Sequence, residues 1–252
     1  MNNYHTHTMR CHHAFGTEEE YIQAAIDSGI KELGFSDHSP WHYHSSFCSH
    51  IRMKEEELDD YVNTLRELKE KYKSDISIKI GLEAEYFPQY MEWLKETVHR
   101  YELDYLILGN HYDDSDEYGI YFGGPLNQNQ LTKYVDNCIK AIESRLYSYI
   151  AHPDLAYYPT DDPFYYKEMK RLCVAAKEYH MPLEYNLLGY SEHRQYPNDV
   201  FFCIAKEVGN QVIIGMDAHD ISSILDKETL ERAQKYLKDL GVEVVDHIRF
   251  LR

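Results

Sequence analysis

The stretch ISIKIGLEAEY, residues 76–86, sets an isoleucine-rich run against two carboxylates at its end, Glu83 and Glu85. Runs of this length, rich in β-branched residues and bounded by polar segments, read as buried strands. Working outward, the same design recurs. KELGFSDH (31–38) ends in Asp37 and His38, YLILGNHY (105–112) in His111, and SYIAHPD (148–154) in His152 and Asp154. PLEYN (182–186) carries Glu184 and Asn186, and VIIGMDAH (212–219) ends in Asp217 and His219. Residues 3–7 supply a first strand that ends in His5 and His7.

Between these runs lie helical patterns. Thr17 and Glu20 have capping-box spacing, Tyr21, Ile22, Ala25 and Ile26 share one face, and Gly29 closes that helix. Further apolar stripes include Leu58, Tyr61, Val62 and Leu65, then Leu131, Val135, Cys138 and Ile142, and finally Leu230, Ala233 and Leu237. Strand followed by helix, seven times over, predicts a parallel sheet covered by helices, as an open doubly wound sheet or a closed barrel. No Pro/Gly/Ser linker divides residues 1–252, so one domain is expected.

Composition narrows the function. A hydrophobic fraction of 43% supports a core, and no run is long and apolar enough to span a bilayer. The five cysteines are scattered without a C-x-x-C and no basic-apolar leader is seen, so a reducing, cytoplasmic setting is expected. A formal charge of −17 argues against a nucleic-acid surface. The 24 tyrosines form no repeat and are read as packing residues rather than a stacking platform.

The histidines carry the chemistry. YHTHTMRCHH (4–13) is not the unbroken run of a tag. H-x-H on a strand sends both imidazoles to one face, because the side-chain period is two. Every apolar run delivers a potential ligand at its C-terminal end, the face on which parallel β/α folds build their sites. Imidazole and carboxylate without thiolate suit Zn²⁺, Mn²⁺ or Fe. More ligands than one tetrahedral ion can use imply two or three metals.

HTHTMRCHHA, GFSDHSP, GLEAEY, GNH, AHPD and GMDAH, in that order, resemble the polymerase and histidinol phosphatase (PHP) superfamily, and most of all its histidinol-phosphate phosphatases. The resemblance implies a distorted seven-stranded (β/α) barrel, with three divalent ions at the C-terminal ends of the strands. It implies that His5, His7, Glu83 and Asp217 surround the first ion, and that Glu83 bridges to a second held by His111 and His152. The third would take His13, His38 and His219. His13 is preferred to His12 because the family places its third histidine six residues after H-x-H. Glu85, Asp37, Asp154 and Glu184 are read as orienters of ligands or substrate.

Three divalent ions against two carboxylates leave a positive pocket that suits a compact dianion. The expected reaction is hydrolysis of L-histidinol phosphate to histidinol and phosphate by a metal-bound hydroxide. Asp217 is a candidate proton relay and Arg194 a candidate phosphate clamp, with Arg52 a second. The segment SPWHYHSSFCSHIRM (39–53) is read as a loop over the mouth. It brings His42, His44 and His50, of which His42 is the candidate general acid or substrate contact. The partner is a small phosphorylated molecule, with no nucleic acid or membrane and a homo-oligomer open. Alternatives are a phosphodiester, exonuclease or phosphotyrosine activity on the same fold, an amidohydrolase-type hydrolase, and a metal-binding module without turnover.

Overall fold

A computed structural model describes residues 1–251. Its strands are β1 (Asn2–Asn3), β2 (Glu32–Phe35), β3 (Ser77–Ala84), β4 (Tyr105–Leu108), β5 (Tyr149–Ile150), β6 (Leu183–Asn186), β7 (Gln211–Gly215) and β8 (Glu243–Val245). They form one parallel ladder in chain order, β1 to β8. Each pairs with the next through a helical crossover, which is what parallel neighbours require.

The sheet curls back on itself. Beyond β1, Thr6 bridges Ala218 beyond β7; the His7 N–H donates to the Ala218 carbonyl at 2.9 Å and the Ala218 N–H to the His5 carbonyl at 3.1 Å. The upper part of the β7 edge therefore meets the chain around His5 and His7, and the distorted barrel closes there. The lower part of the ladder pairs instead with β8, through Gln211↔Glu243 to Ile213↔Val245. This eighth strand departs from the seven expected. It is short and largely exposed, with no apolar run to announce it. The first strand is also shorter than residues 3–7, because H-x-H makes only a single bridge.

The helices behave as their sequences dictate. Glu18–Ser28 starts on a full Thr17/Glu20 capping box and stops at Gly29, whose φ of 79° is the left-handed conformation glycine tolerates best. Gln128–Ser144 starts on the equivalent Asn127/Gln130 box. One further crossover helix, Met91–Tyr101, joins β3 to β4. The apolar stripes pack on the outside of the barrel in the main core, while a separate cluster of Tyr4, Tyr105, Ile107, Tyr149, Ala151, Ile213 and Ile248 occupies its lower interior. Among the described residues, no helix is long and apolar enough to cross a membrane.

Candidate metal centre

At the upper end of the barrel the interior changes character. Asp37, Glu83, Glu85, Glu184 and Asp217 are all buried there, with Arg52 the only buried guanidinium or ammonium group among the described residues. A burden of buried carboxylates this large is stable only if cations or protonated imidazoles meet it.

Glu83, on the last turn of pleat in β3, is the hub. Its Oε2 lies 2.9 Å from His38 Nδ1 and 3.6 Å from the Nε2 atoms of both His5 and His7. Its Oε1 lies 2.9 Å from His152 Nε2 and 3.4 Å from His111 Nε2. One carboxylate thus stands between two groups of imidazoles. Asp217 Oδ1 faces His7 Nε2 at 3.1 Å, His5 Nε2 at 3.3 Å and His219 Nδ1 at 3.3 Å. The ring of His219 stacks on His7 at 3.9 Å and lies 4.6 Å from that of His13.

A second layer holds these rings. His5 Nδ1 meets Glu184 at 2.8 Å, His7 Nδ1 meets Asp37 at 3.4 Å, and His111 Nδ1 meets Glu85 at 3.0 Å. His13 and His219 turn Nδ1 to the carbonyls of Cys11 and Asp217, at 2.6 and 3.0 Å. Carboxylate and carbonyl oxygens only accept, so Nδ1 carries a hydrogen, and in the neutral ring that a metal requires Nε2 offers its lone pair. Glu184 also accepts the His152 backbone N–H and the Asn186 amide, each at 2.8 Å. Asn186 reaches Asp217 as well, at 3.1 Å.

Four observations test whether this set fits a metal cluster. His5 Nε2, His7 Nε2, His38 Nδ1, Glu83 Oε2, Asp217 Oδ1 and His219 Nε2 are buried without a hydrogen-bond partner; the close His38–Glu83 approach lies outside hydrogen-bonding geometry. Native interiors rarely leave such atoms unmet. Ligand atoms of the centre fall into sets within 4.8 Å of one another, including His5/His7/Glu83, His5/His152/Asp217 and His7/His38/His219. The buried thiol of Cys11 joins His13 and His219 in another, so a sulfur that the sequence reading left out stands beside the histidines. The backbone makes room: a Cβ on Gly109 would lie 2.1 Å from Glu83 Oε1, and one on Gly215 1.7 Å from Glu184 Oε1. His152 and Asp217 hold left-handed φ values of 30° and 50°, a local strain that surrounding structure must sustain. The residues fit divalent ions bound by imidazole and carboxylate.

Electrostatics agree. Burial alone would lower the His5 imidazole, but Asp217, Glu184 and Glu83 outweigh it and push it up to about 10. His7 also moves up, against burial, through Asp217 and Asp37. Burial would raise the Glu83 carboxyl, yet His111, His38 and His5 hold it well below the usual range. His38 and His219 move the other way, down to about 3, through burial and the neighbouring His7. The carboxylates attract positive charge around His5 and His7, and bound divalent ions would supply it.

Above it opens a cavity of about 360 Å³ lined by His13, His38, Glu83, His111, His152, Asp217 and His219, with Tyr112, Tyr121, Tyr196, Leu155, Leu188 and Ile51 as walls. Arg194 and Glu192 share its rim and pair at 2.6 Å. All nine residues expected as ligands are brought together. His12 is exposed with φ 67°, and that left-handed turn throws it outward while His13 enters the cavity.

The loop 39–53 departs from expectation. His42 is exposed and bonded to Glu55 at 2.7 Å, and neither it nor His44 nor His50 lines the cavity. Only Ile51 of that segment does. Arg52 is no phosphate clamp: it is completely buried, and Glu85, Asp116 and the Ser39 carbonyl occupy its donors. The three tyrosines of the cavity wall and Glu192 escape the sequence reading, which treats tyrosine as packing. The adjacency of Tyr112 to His111 is the one local sign.

A PHP domain model matches residues 3–188. A protein of Deinococcus radiodurans named "Probable histidinol-phosphatase" is 28% identical over 254 residues, covering 96% of this chain and 94% of that one. A "Probable phosphatase" of Shewanella sediminis is 27% identical over 229 residues, covering 85% and 76%. The fold matches the crystal structure of histidinol phosphate phosphatase from Lactococcus lactis, complexed with zinc, L-histidinol and phosphate, at a TM-score of 0.75 and 19% identity, covering 98% of this chain and 96% of that one. With the family's model matching residues 3–188, most of the 252 residues, and the strands converging on a histidine and carboxylate centre, this chain belongs to the PHP domain family.

Proposed function

We propose that residues 1–252 act as one metal-dependent phosphomonoesterase unit whose substrate is L-histidinol phosphate. The observation that carries the reading is Glu83, with one oxygen turned to His5, His7 and His38 and the other to His111 and His152, at the floor of an open cavity. His5, His7, Glu83 and Asp217 would hold a first ion, Glu83, His111 and His152 a second, and His13, His38 and His219 a third. Bound there, divalent ions supply positive charge for phosphoryl oxygens and lower the pKa of water.

The chain's own groups do the rest. Glu184, Asp37 and Glu85 fix the tautomer and angle of their histidines, so the site is organised before substrate arrives. Arg194 and Glu192 stand at the rim as a pair, with Arg194 Nε and Nη2 on Glu192 and Nη1 on the Tyr196 hydroxyl. A substrate phosphate would exchange with Glu192 for the guanidinium and leave that carboxylate for an ammonium. A molecule with phosphate at one end and an amine beside a flat ring matches that pair and the aromatic faces of Tyr112, Tyr121 and Tyr196. The names of the Deinococcus and Lactococcus proteins support the same substrate.

Phosphate release from L-histidinol phosphate and from p-nitrophenyl phosphate by the zinc- or manganese-loaded protein tests this. A kcat/KM at least a hundredfold higher for histidinol phosphate, about 3 kcal/mol of discrimination, is expected. Equal values would remove the substrate and leave the phosphatase. No release from either ester, with amide hydrolysis instead, would remove both.

A further inference from the structure

We propose that Arg52 is a positioning residue that ties the two segments flanking the cavity mouth to the orientation of His111, through the carboxylate of Glu85. This deepens the metal-site reading above and rests on it.

The Arg52 side chain has no exposed surface. Its Nη2 donates to Glu85 Oε1 at 2.9 Å and its Nη1 to Glu85 Oε2 at 3.1 Å, a forked pair that fixes the carboxylate plane. Trp41 adds an indole N–H to Oε2 at 3.2 Å. Oε1 is then presented to His111 Nδ1 at 3.0 Å, which keeps the hydrogen there and turns Nε2 toward Glu83. Without the fork the carboxylate could rotate about its last bond, and the imidazole with it.

The rest of the guanidinium holds the mouth. Nη1 also donates to the Ser39 carbonyl at 2.9 Å, and Nε to Asp116 Oδ2 at 2.9 Å. Asp116 in turn accepts the hydroxyls of Tyr43 at 2.6 Å and Ser49 at 2.7 Å. The segment 39–53, which places Ile51 in the cavity wall, is thus stapled to the segment whose Tyr112 and Tyr121 bridge one another in that wall. A buried ion pair is weak support for stability, since apolar residues of like volume do as well or better. Its value here is geometric: a single planar group sets a ligand's angle and both walls of the entrance.

Arg52→Lys keeps the charge and removes the fork. We expect zinc to be withdrawn from this variant by a chromophoric chelator about tenfold more readily than from the native protein, with KM for p-nitrophenyl phosphate raised and thermal unfolding still cooperative. Asp116→Asn leaves the Arg52–Glu85 fork intact, so it should raise KM while retaining zinc as the native protein does. Native zinc retention in Arg52→Lys, with only a lower melting temperature, would overturn the proposal. Should Arg52→Lys not fold, Trp41→Phe removes one contact to Glu85 and leaves the guanidinium; a smaller loss of zinc retention is expected, and none would overturn the proposal equally. The native protein run alongside separates the two ideas, because a native chain that takes up no zinc contradicts the metal site itself.

Discussion

The two floors of the barrel interior are built from the same strands and could hardly differ more. Below, Tyr4, Tyr105, Ile107, Tyr149 and Ile213 fill the space, and polar ends are met: the Tyr105 hydroxyl donates to the Tyr4 carbonyl at 2.8 Å and the Tyr4 hydroxyl to Glu32 at 2.6 Å. Residues 249–251 close that floor, with the Ser148 hydroxyl on the Arg249 carbonyl and the Leu251 N–H on the Asp104 carbonyl. Above, five carboxylates and the imidazoles crowd together with buried atoms left unmet. The lower floor holds the barrel shut; the upper floor is a site that its own residues do not complete. A protein tolerates such an upper floor because the lower one and the outer helices carry the stability.

Substitutions should divide along that line. Asp217→Asn removes one charge from the upper floor yet keeps a group for Asn186 to bond. We expect phosphatase activity to fall on the order of a thousandfold with the unfolding midpoint little changed. His12→Ala, one residue from a candidate ligand but pointing outward, should leave activity within about twofold of native, as surface changes do. Ile213→Ala in the lower floor should do the reverse, costing about 2–5 kcal/mol of stability in chemical denaturation with KM and kcat unaltered in the folded enzyme. Loss of activity without loss of stability in Ile213→Ala would break the comparison.

A smaller effect sharpens it. Asp154, buried behind the site with Oδ1 unpartnered, is pushed up to about 7, burial outweighing the help of the Asn198 N–H. The folded state therefore keeps this proton where the unfolded chain has lost it. Its contribution to stability declines as pH rises from the unfolded value near 4 through the folded one, and stays unfavourable above. Asp154→Asn removes that penalty, so it should stabilise the protein at pH 8 by on the order of 1 kcal/mol, and by less at pH 5. Equal gains at both pH values would show the carboxyl to be ionised throughout.

Much of this was legible in the sequence, for a physical reason. A strand buried on both faces must be apolar, so a histidine or carboxylate at its end stands out, and seven such ends in a parallel fold point to one face. His5, His7, His38, Glu83, His111, His152, Asp217 and His219 could be found that way. The loop residues could not. Whether Arg52 faces phosphate or Glu85, and whether His42 faces substrate or Glu55, depends on contacts 13 to 64 residues away in a segment without periodicity. β8 was invisible because three residues at an exposed edge need no pattern. The wall tyrosines were hidden by their abundance, since the same residue type fills the lower floor.

The measurement that bears most directly on the account is elemental analysis of the purified protein after reconstitution with zinc or manganese, native beside Glu83→Ala, with phosphate release followed on both. The account predicts at least two tightly held ions in the native chain, fewer in the variant, and activity that vanishes on chelation and returns with metal. A folded native chain that takes up no divalent ion, or that hydrolyses phosphate esters equally well after exhaustive chelation, would contradict it.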